Sequence, residues 1–212
     1  MRTGQIEGGI NKLWTVAYDS KDLIEDAMTK LLIHFDGADG ATSYTAETGQ
    51  TVTFTGSSAL DIDQKKFGKS SLLLNSATSD YVTVPDSADW YFGNGDFTVD
   101  FWARFASLAD IFSFYHQETD GNNSLKMEYD PSTGKTWFAV YLSGTPVLNL
   151  NSFDLSLNVD TWYHFAFVRY GNIWTTYVDG VNVASTTNTS TVADYTGDLY
   201  IGTVGPYDFD GW

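Results

Sequence analysis

The sequence predicts an all-β fold, a two-sheet antiparallel β-sandwich or jelly roll, preceded by an N-terminal arm. Phe, Trp and Tyr make up 16% of the 212 residues, and Gly, Ser, Thr, Asn and Asp are abundant. Such a composition favours short strands joined by tight turns. About a dozen short apolar runs are separated by turn signals, the spacing of a sandwich or jelly roll.

The clearest run is 161–185, which predicts a three-stranded antiparallel meander. Its three β-branched and aromatic segments are interrupted only by Gly171-Asn172 and Asp179-Gly180. Two-residue breaks of these types are strong hairpin signals, because the turns that match strand twist need positive φ. Both faces of the first segment are apolar, so we expect the ribbon to be covered on both sides along part of its length.

Residues 1–30 differ from the remainder and are interpreted as an arm or linker before a domain at 31–212. The arm alternates apolar and polar residues at 10–18, which suits a strand, and 20–28 has the pattern of a short helix. Within the domain, further strands are predicted at 31–35, 51–55, 59–62, 71–74, 81–84, 97–105, 110–116, 125–129, 137–142, 147–153 and 198–202.

Charge and composition exclude several classes of function. The formal net charge of −16 repels phosphate backbones, so nucleic acid is not an expected partner. The absence of Cys excludes disulfides and thiolate metal sites. No apolar run reaches the roughly 18 residues of a membrane-spanning helix.

Five stretches in a fixed order carry a family resemblance. They are LLIHFDG at 31–37, KFGKSSLLL at 66–74, the strand pair and loop at 81–105, the meander at 161–180, and LYIG at 199–202. Together they resemble the concanavalin A-like lectin and glucanase superfamily, in the laminin G-like branch found in bacteriophage structural and bacterial surface proteins. The resemblance implies a concanavalin A-like jelly roll, often with Ca²⁺ at one edge, and often glycan binding or adhesion.

Calcium ligands are predicted among four aspartates. Asp36 and Asp39 form an oxygen-rich loop after the first predicted strand. The resemblance implies that Asp36 approaches Asp208 or Asp210 at one metal edge. The alternative is that these residues cap turns through their own backbone.

Sugar binding needs an exposed aromatic platform flanked by polar groups. Aromatic residues near loops or on strands of ambiguous face are the candidates: Tyr91, Trp137, Trp174 and Tyr207. In contrast, Trp90, Trp102 and Trp162 fall in fold motifs and are expected in the core.

Catalysis is not expected. The glucanase branch carries Glu-x-Asp-x-x-Glu on one strand, and the nearest match is 128–133, where Thr133 replaces the second Glu and Pro131 breaks the strand. His34, His116 and His164 are scattered and are expected to be packed histidines.

The leading hypothesis is a non-enzymatic binding module on a virion surface or otherwise extracellular, adhering to glycans or a host surface. The alternative is a structural decoration protein of a phage particle with only protein partners. A glycoside hydrolase ranks third.

The arm generates a prediction about oligomeric state. Related domains place one more strand beside the first strand, so 31–35 is expected to present an unpaired edge. The strand-like residues 10–18 can cover that edge by folding back onto their own domain or by strand addition to a neighbouring copy, and we favour the neighbouring copy. Deleting residues 1–30 should therefore convert a homo-oligomer into monomers or aggregates in analytical ultracentrifugation, and an oligomer that survives the deletion would refute this role.

Overall fold

The computed structural model describes residues 28–205 and 207–212, and it is built almost wholly from β-strands. The predicted arm strand and all of the predicted arm helix except Met28 lie outside the described residues. In chain order the strands are β1 (Ser43–Thr45), β2 (Thr51–Thr55), β3 (Ala59–Asp61), β4 (Ser71–Leu73), β5 (Tyr81–Val84), β6 (Phe97–Arg104), β7 (Phe112–Asp120), β8 (Asn123–Asp130), β9 (Lys135–Leu142), β10 (Thr145–Asn151), β11 (Trp162–Tyr170), β12 (Ile173–Val178), β13 (Val181–Thr187), β14 (Leu199–Ile201), β15 (Thr203–Val204) and β16 (Tyr207–Asp208). Two single 3-10 turns, Ser76–Thr78 and Ala88–Trp90, flank β5.

The strands form two main antiparallel sheets that pack face to face, as the sequence predicts. The eight-stranded sheet has the order β1-β2-β5-β14-β7-β8-β9-β10, and the four-stranded sheet has the order β13-β12-β11-β6. Two small pairs, β3–β4 and β15–β16, complete the described part. Within it, no helix is long and apolar enough to cross a membrane.

The predicted meander is confirmed as β11–β12–β13. Asp179 and Gly180 form the second turn with φ of 49° and 76°, and Gly171 opens the first turn with φ of 58°. Positive φ at both central positions of the second turn is what a two-residue type I′ hairpin requires. The turns therefore fix the register of the three strands.

Aromatic rings fill the space between the sheets. Phe105 lies at the centre, with its ring centroid 5.2 Å from Phe112, 5.6 Å from Tyr129 and 5.5 Å from Phe209. At the other end of the core, Phe138 lies 5.2 Å from Trp174. Tilted and edge-on contacts of this kind are the favoured geometries of aromatic pairs.

The sequence predicts Trp102 and Trp162 in the core, and the structure places both outside it. Trp102 pairs with His164 across β6 and β11, and alternation places both on the face of the four-stranded sheet that is turned away from the core. There Trp102 is covered by the 62–69 loop, with Lys66 Nζ 4.1 Å above its ring and the Phe67 ring edge-on at 5.7 Å.

The prediction of a first strand at 31–35 is wrong, because this segment is not a strand and pairs with none of the described strands. Phe35 has φ of 55°, which ends any extended run. Side-chain oxygens instead accept the backbone N–H groups of this segment: Thr48 Oγ1 binds Leu32 N at 3.1 Å and Glu47 Oε2 binds His34 N at 3.0 Å. The free edge that motivated strand addition by the arm is therefore already satisfied at these groups.

Residues 210–212 join the four-stranded sheet to the small β3–β4 pair. Gly211 exchanges two backbone hydrogen bonds with Leu74 at 3.0 Å, and Trp212 exchanges two with Arg104 at 2.6 and 2.9 Å. Trp212 Nε1 also donates to Asp61 on β3. The Arg104 guanidinium lies 4.9 Å from the Trp212 ring and forms an ion pair with Asp160 at 2.8 Å.

Replacing Gly211 tests this junction. Gly211 has φ of +148°, and a Cβ there would lie 2.0 Å from the Arg104 carbonyl oxygen, which is backbone and cannot rotate away. We expect Gly211→Ala to lower the free energy of unfolding by about 3 kcal/mol in urea titrations. Gly121→Ala is the matched control, since a Cβ there meets nothing within 4 Å, and it should change stability by less than about 0.5 kcal/mol. Equal stability of the two variants would show that the junction is not required.

Candidate functional site

The face of the eight-stranded sheet that is turned away from the core is the candidate site, and we call it the outer face. On β8, Leu125 and Met127 are fully buried in the core, so the alternate residues Lys126 and Glu128 point the other way. On β9, Phe138 and Val140 lie in the core in the same manner. The outer face therefore collects every second side chain of neighbouring strands.

One row of the outer face runs straight across four strands. Glu128 on β8 is paired with Ser113 on β7 and with Trp137 on β9, and Trp137 is paired with Asn151 on β10. Directly opposed side chains have Cβ atoms about 4.5–5.5 Å apart. The row thus places a half-buried indole between a carboxylate and an exposed carboxamide.

A second row lies beside it and carries more aromatic residues. Tyr200 on β14 is paired with Thr83 and His116, and His116 is paired with Lys126. The Tyr200 ring lies 5.7 Å from that of Tyr81 and 6.3 Å from the His116 ring. Lys126 Nζ lies 5.7 Å from the ring centroid of Tyr141 on β9.

Burial sets the protonation of the central groups. It lowers the pKa of His116 to about 4, with Lys126 adding a repulsive charge, so the imidazole is neutral at neutral pH. Burial raises the pKa of Glu128, which Lys126 opposes. Burial also disfavours the charged form of Asp130, but hydrogen bonds from Ser132 and Thr133 outweigh it and lower the pKa of Asp130.

Several polar atoms beneath the outer face lack hydrogen bonds within the described part of the chain. They include His116 Nε2, Ser113 Oγ and Ser124 Oγ. His116 is only 4% exposed, and Glu118 Oε2 lies 3.4 Å from its Nε2. Unpaired buried groups cost stability, so a ligand that supplies partners to such a face gains affinity.

The four predicted sugar-binding aromatics are not brought together. Trp137 lies in the outer face. Tyr91 is 51% exposed, but it lies in the loop before β6, where its ring packs near Gly93. The expectation for Trp174 is not met, because this residue is fully buried, stacked under Arg169, and donates Nε1–H to the Asn188 carbonyl. Tyr207 belongs to β16, and its side chain lies outside the described part.

Two of the four aspartates predicted to bind calcium accept hydrogen bonds from the protein itself. Asp36 Oδ1 accepts the backbone N–H of Lys69 at 2.6 Å, and Asp208 Oδ1 accepts the Thr203 hydroxyl at 2.6 Å. Asp39 lies in an exposed turn, and the Asp210 carbonyl accepts Ala106 N–H. Among the described residues, no three His, Asp or Glu side chains are grouped as metal ligands. Asp36 thus binds a backbone group 33 residues away instead of capping its own turn, and calcium binding stays a prediction.

The chain is similar in sequence to a known family and in fold to several solved structures. A family model described as the concanavalin A-like lectin/glucanases superfamily, of the laminin G type, matches residues 76–211, more than half of the chain. The chain belongs to this superfamily. A search by sequence among curated proteins finds no significant match for this superfamily member.

Solved structures share the fold at low sequence identity. Domain 4 of AbnA, an extracellular arabinanase of Geobacillus stearothermophilus solved in complex with arabinotriose, aligns with a TM-score of 0.65 and 20% identity over 86% of this chain and 87% of that chain. The binding domain of botulinum neurotoxin serotype D/C aligns with a TM-score of 0.57 and 12% identity over 74% and 39%. Domains LG4-5 of the mouse laminin α1 chain align with a TM-score of 0.50 and 13% identity over 62% and 36%.

The sequence patterns did not identify most residues of the outer face as candidate binding residues. Tyr81, Tyr200, His116 and Lys126 come from four strands whose order in the sheet is not sequential. The available signal is alternation, since each of them flanks an apolar residue that enters the core.

Calcium removal tests the placement of Asp36. If Asp36 only accepts the Lys69 N–H, Asp36→Ala should cost about 1 kcal/mol, because that N–H loses its acceptor. The melting temperature should then fall by the same amount in CaCl₂ and in EDTA. Asp39→Ala, in the exposed turn, is the control. A calcium-dependent rise in the wild-type melting temperature that Asp36→Ala abolishes would instead establish a metal site.

Proposed function

We propose that this protein is a non-enzymatic carbohydrate-binding module and that it binds glycans on the outer face of the eight-stranded sheet. The observation that carries the proposal is the row formed by Glu128, Trp137 and Asn151. An indole flanked by a carboxylate and an amide offers a sugar one apolar surface and two hydroxyl-binding groups.

The width of the outer face supports a glycan rather than a single small molecule. Aromatic rings border it on both sides of the polar centre, with Tyr81 and Tyr200 toward β5 and β14 and Trp137 and Tyr141 on β9. These strands are separated by β7 and β8, at about 4.8 Å per strand. Two aromatic borders at that separation suit a chain of several sugar units.

Structural neighbours are compatible with this proposal. The AbnA domain was solved with arabinotriose, and its fold covers most of both chains. The comparison supports a glycan as the class of ligand. Because the sequence identity is only 20%, arabinan itself is one candidate among neutral polysaccharides.

Hydrolysis is the second candidate, and one observation favours it. Glu128 and Asp130 lie on the same face of β8 with pKa values displaced in opposite directions, which is the pattern of an acid and a base. Against it, the Asp130 carboxylate accepts the backbone N–H and the hydroxyl of Ser132 at 2.9 and 2.6 Å, and β8 ends there before Pro131. Asp130 is thus occupied as a turn-capping group.

Adhesion at a cell or virion surface is the setting that a glycan-binding role favours. Extracellular placement, decoration of a phage particle and assembly with other particle proteins remain predictions from the sequence.

Truncating Trp137 tests the proposal. On an array of neutral and acidic glycans, the full chain should bind at least one ligand reproducibly, and Trp137→Ala should weaken that binding at least about tenfold, or about 1.4 kcal/mol. Trp137→Tyr keeps an aromatic platform and should retain most of the affinity.

Tyr170→Ala is the matched control, because Tyr170 is a 73% exposed aromatic on β11 of the other sheet. Equal losses in Trp137→Ala and Tyr170→Ala, or no binding by a folded sample, would contradict a site on the outer face. Release of reducing sugars that Glu128→Gln abolishes would identify a hydrolase instead.

A further inference from the structure

The charges on the outer face are mixed, and they alternate over short distances. Lys126 lies in the middle of β8, and Glu118, Glu128 and Asp130 lie on the same face of β7 and β8. His116 is uncharged between Tyr200 and Lys126. The centre of the face therefore presents a positively charged hydrogen-bond donor and negatively charged acceptors, with no excess of positive charge.

One further basic residue lies on this face, because Lys135 on β9 is paired with Asp130 on β8. Several other basic side chains are engaged elsewhere. Arg104 is paired with Asp160 at 2.8 Å, and Lys30 with Asp89 at 3.4 Å. Arg169 on β11 is buried and donates to the Gly93 carbonyl at 2.8 Å. Lys66 lies over Trp102 on the other sheet.

Acidic glycans need the opposite arrangement. Sulfate and carboxylate groups are recognised by clusters of Arg and Lys, and a positive field raises the local concentration of a polyanion. This chain has a net charge of −16, so its field repels uronic and sulfated polysaccharides. Two lysines, Lys126 and Lys135, among three carboxylates do not reverse that field.

Neutral sugars match the groups that are present. A sugar hydroxyl both donates and accepts, so it can accept from the Lys126 ammonium and donate to the Glu128 carboxylate. His116 is 4% exposed, and its Nε2 makes no hydrogen bond among the described residues, although Glu118 Oε2 lies 3.4 Å away. A hydroxyl reaching the centre of the face would supply that partner.

We propose that the ligand is a neutral glycan whose hydroxyl groups bind Lys126, His116 and Glu128 between the two aromatic borders, and that uronic and sulfated glycans are rejected. This proposal rests on the glycan-binding role given above and adds the charge class of the ligand and the residues that select it.

The test uses the full 212-residue chain and matched polysaccharides in affinity electrophoresis: arabinan, xylan and galactan as neutral probes, and glucuronoxylan, polygalacturonate and heparin as acidic ones. We expect retardation by at least one neutral probe, none by the acidic probes, and little change between low and high salt, because no ion pair with the ligand is formed. Lys126→Gln should weaken neutral binding about tenfold, as expected for loss of a charged hydrogen-bond donor.

Lys65→Gln is the control, since it makes the same change in net charge in the 62–69 loop, where Lys65 Nζ donates to the Ile62 carbonyl. Binding of acidic probes alone, or an affinity that falls steeply with salt, would overturn this proposal. Neutral binding that Trp137→Ala abolishes and Lys126→Gln leaves unchanged would overturn it while keeping the glycan-binding role. Silence with every probe would remove the proposed function itself.

Discussion

The packing of Phe105, Phe138 and Phe165 between the two sheets fixes the register of the strands that form the outer face. These rings are fully buried, and each interlocks with further rings from the opposite sheet. A slip of one residue on any of these strands would turn its aromatic residues toward solvent and its polar residues into the core. The core therefore determines that Glu128, Trp137 and Asn151 face outward in one row, although none of the three takes part in the core itself.

The same constraint explains why polar groups lie buried beneath the outer face. Ser113, Ser124 and His116 occupy outward positions on β7 and β8, two interior strands of the sheet. His116 is paired with Tyr200 and Lys126, Ser113 with Glu128, and Ser124 with Glu118 and Tyr141. Their side chains are excluded from water without entering the core, and several of their atoms lack partners in the described part. Interior strands of a sheet concentrate such groups because both neighbours contribute side chains on the same face.

The two ends of the described chain illustrate how a backbone edge is satisfied without a full strand. Residues 31–35 use the side-chain oxygens of Thr48 and Glu47 in place of a strand partner. Residues 210–212 instead pair through their own backbone groups with Leu74 and Arg104, and the Trp212 side chain adds a hydrogen bond to Asp61. Gly211 permits this pairing, since any larger residue would collide with backbone on the β6 side.

Alternation and turn chemistry in the sequence determined the all-β class and the meander with both of its two-residue turns, because these are local properties that one strand and its turns carry by themselves. The loss of the Glu-x-Asp-x-x-Glu pattern and its interruption at Pro131 were equally visible in the sequence. Only the tertiary structure decided that Trp137 is on the outer face while Trp174 is buried, that Trp102 lies outside the core, and that 31–35 is not a strand. The physical reason is that strands adjacent in the sheet are far apart in the chain, as β5, β14 and β7 are. Which side chains share a face therefore depends on long-range pairing that local patterns do not contain.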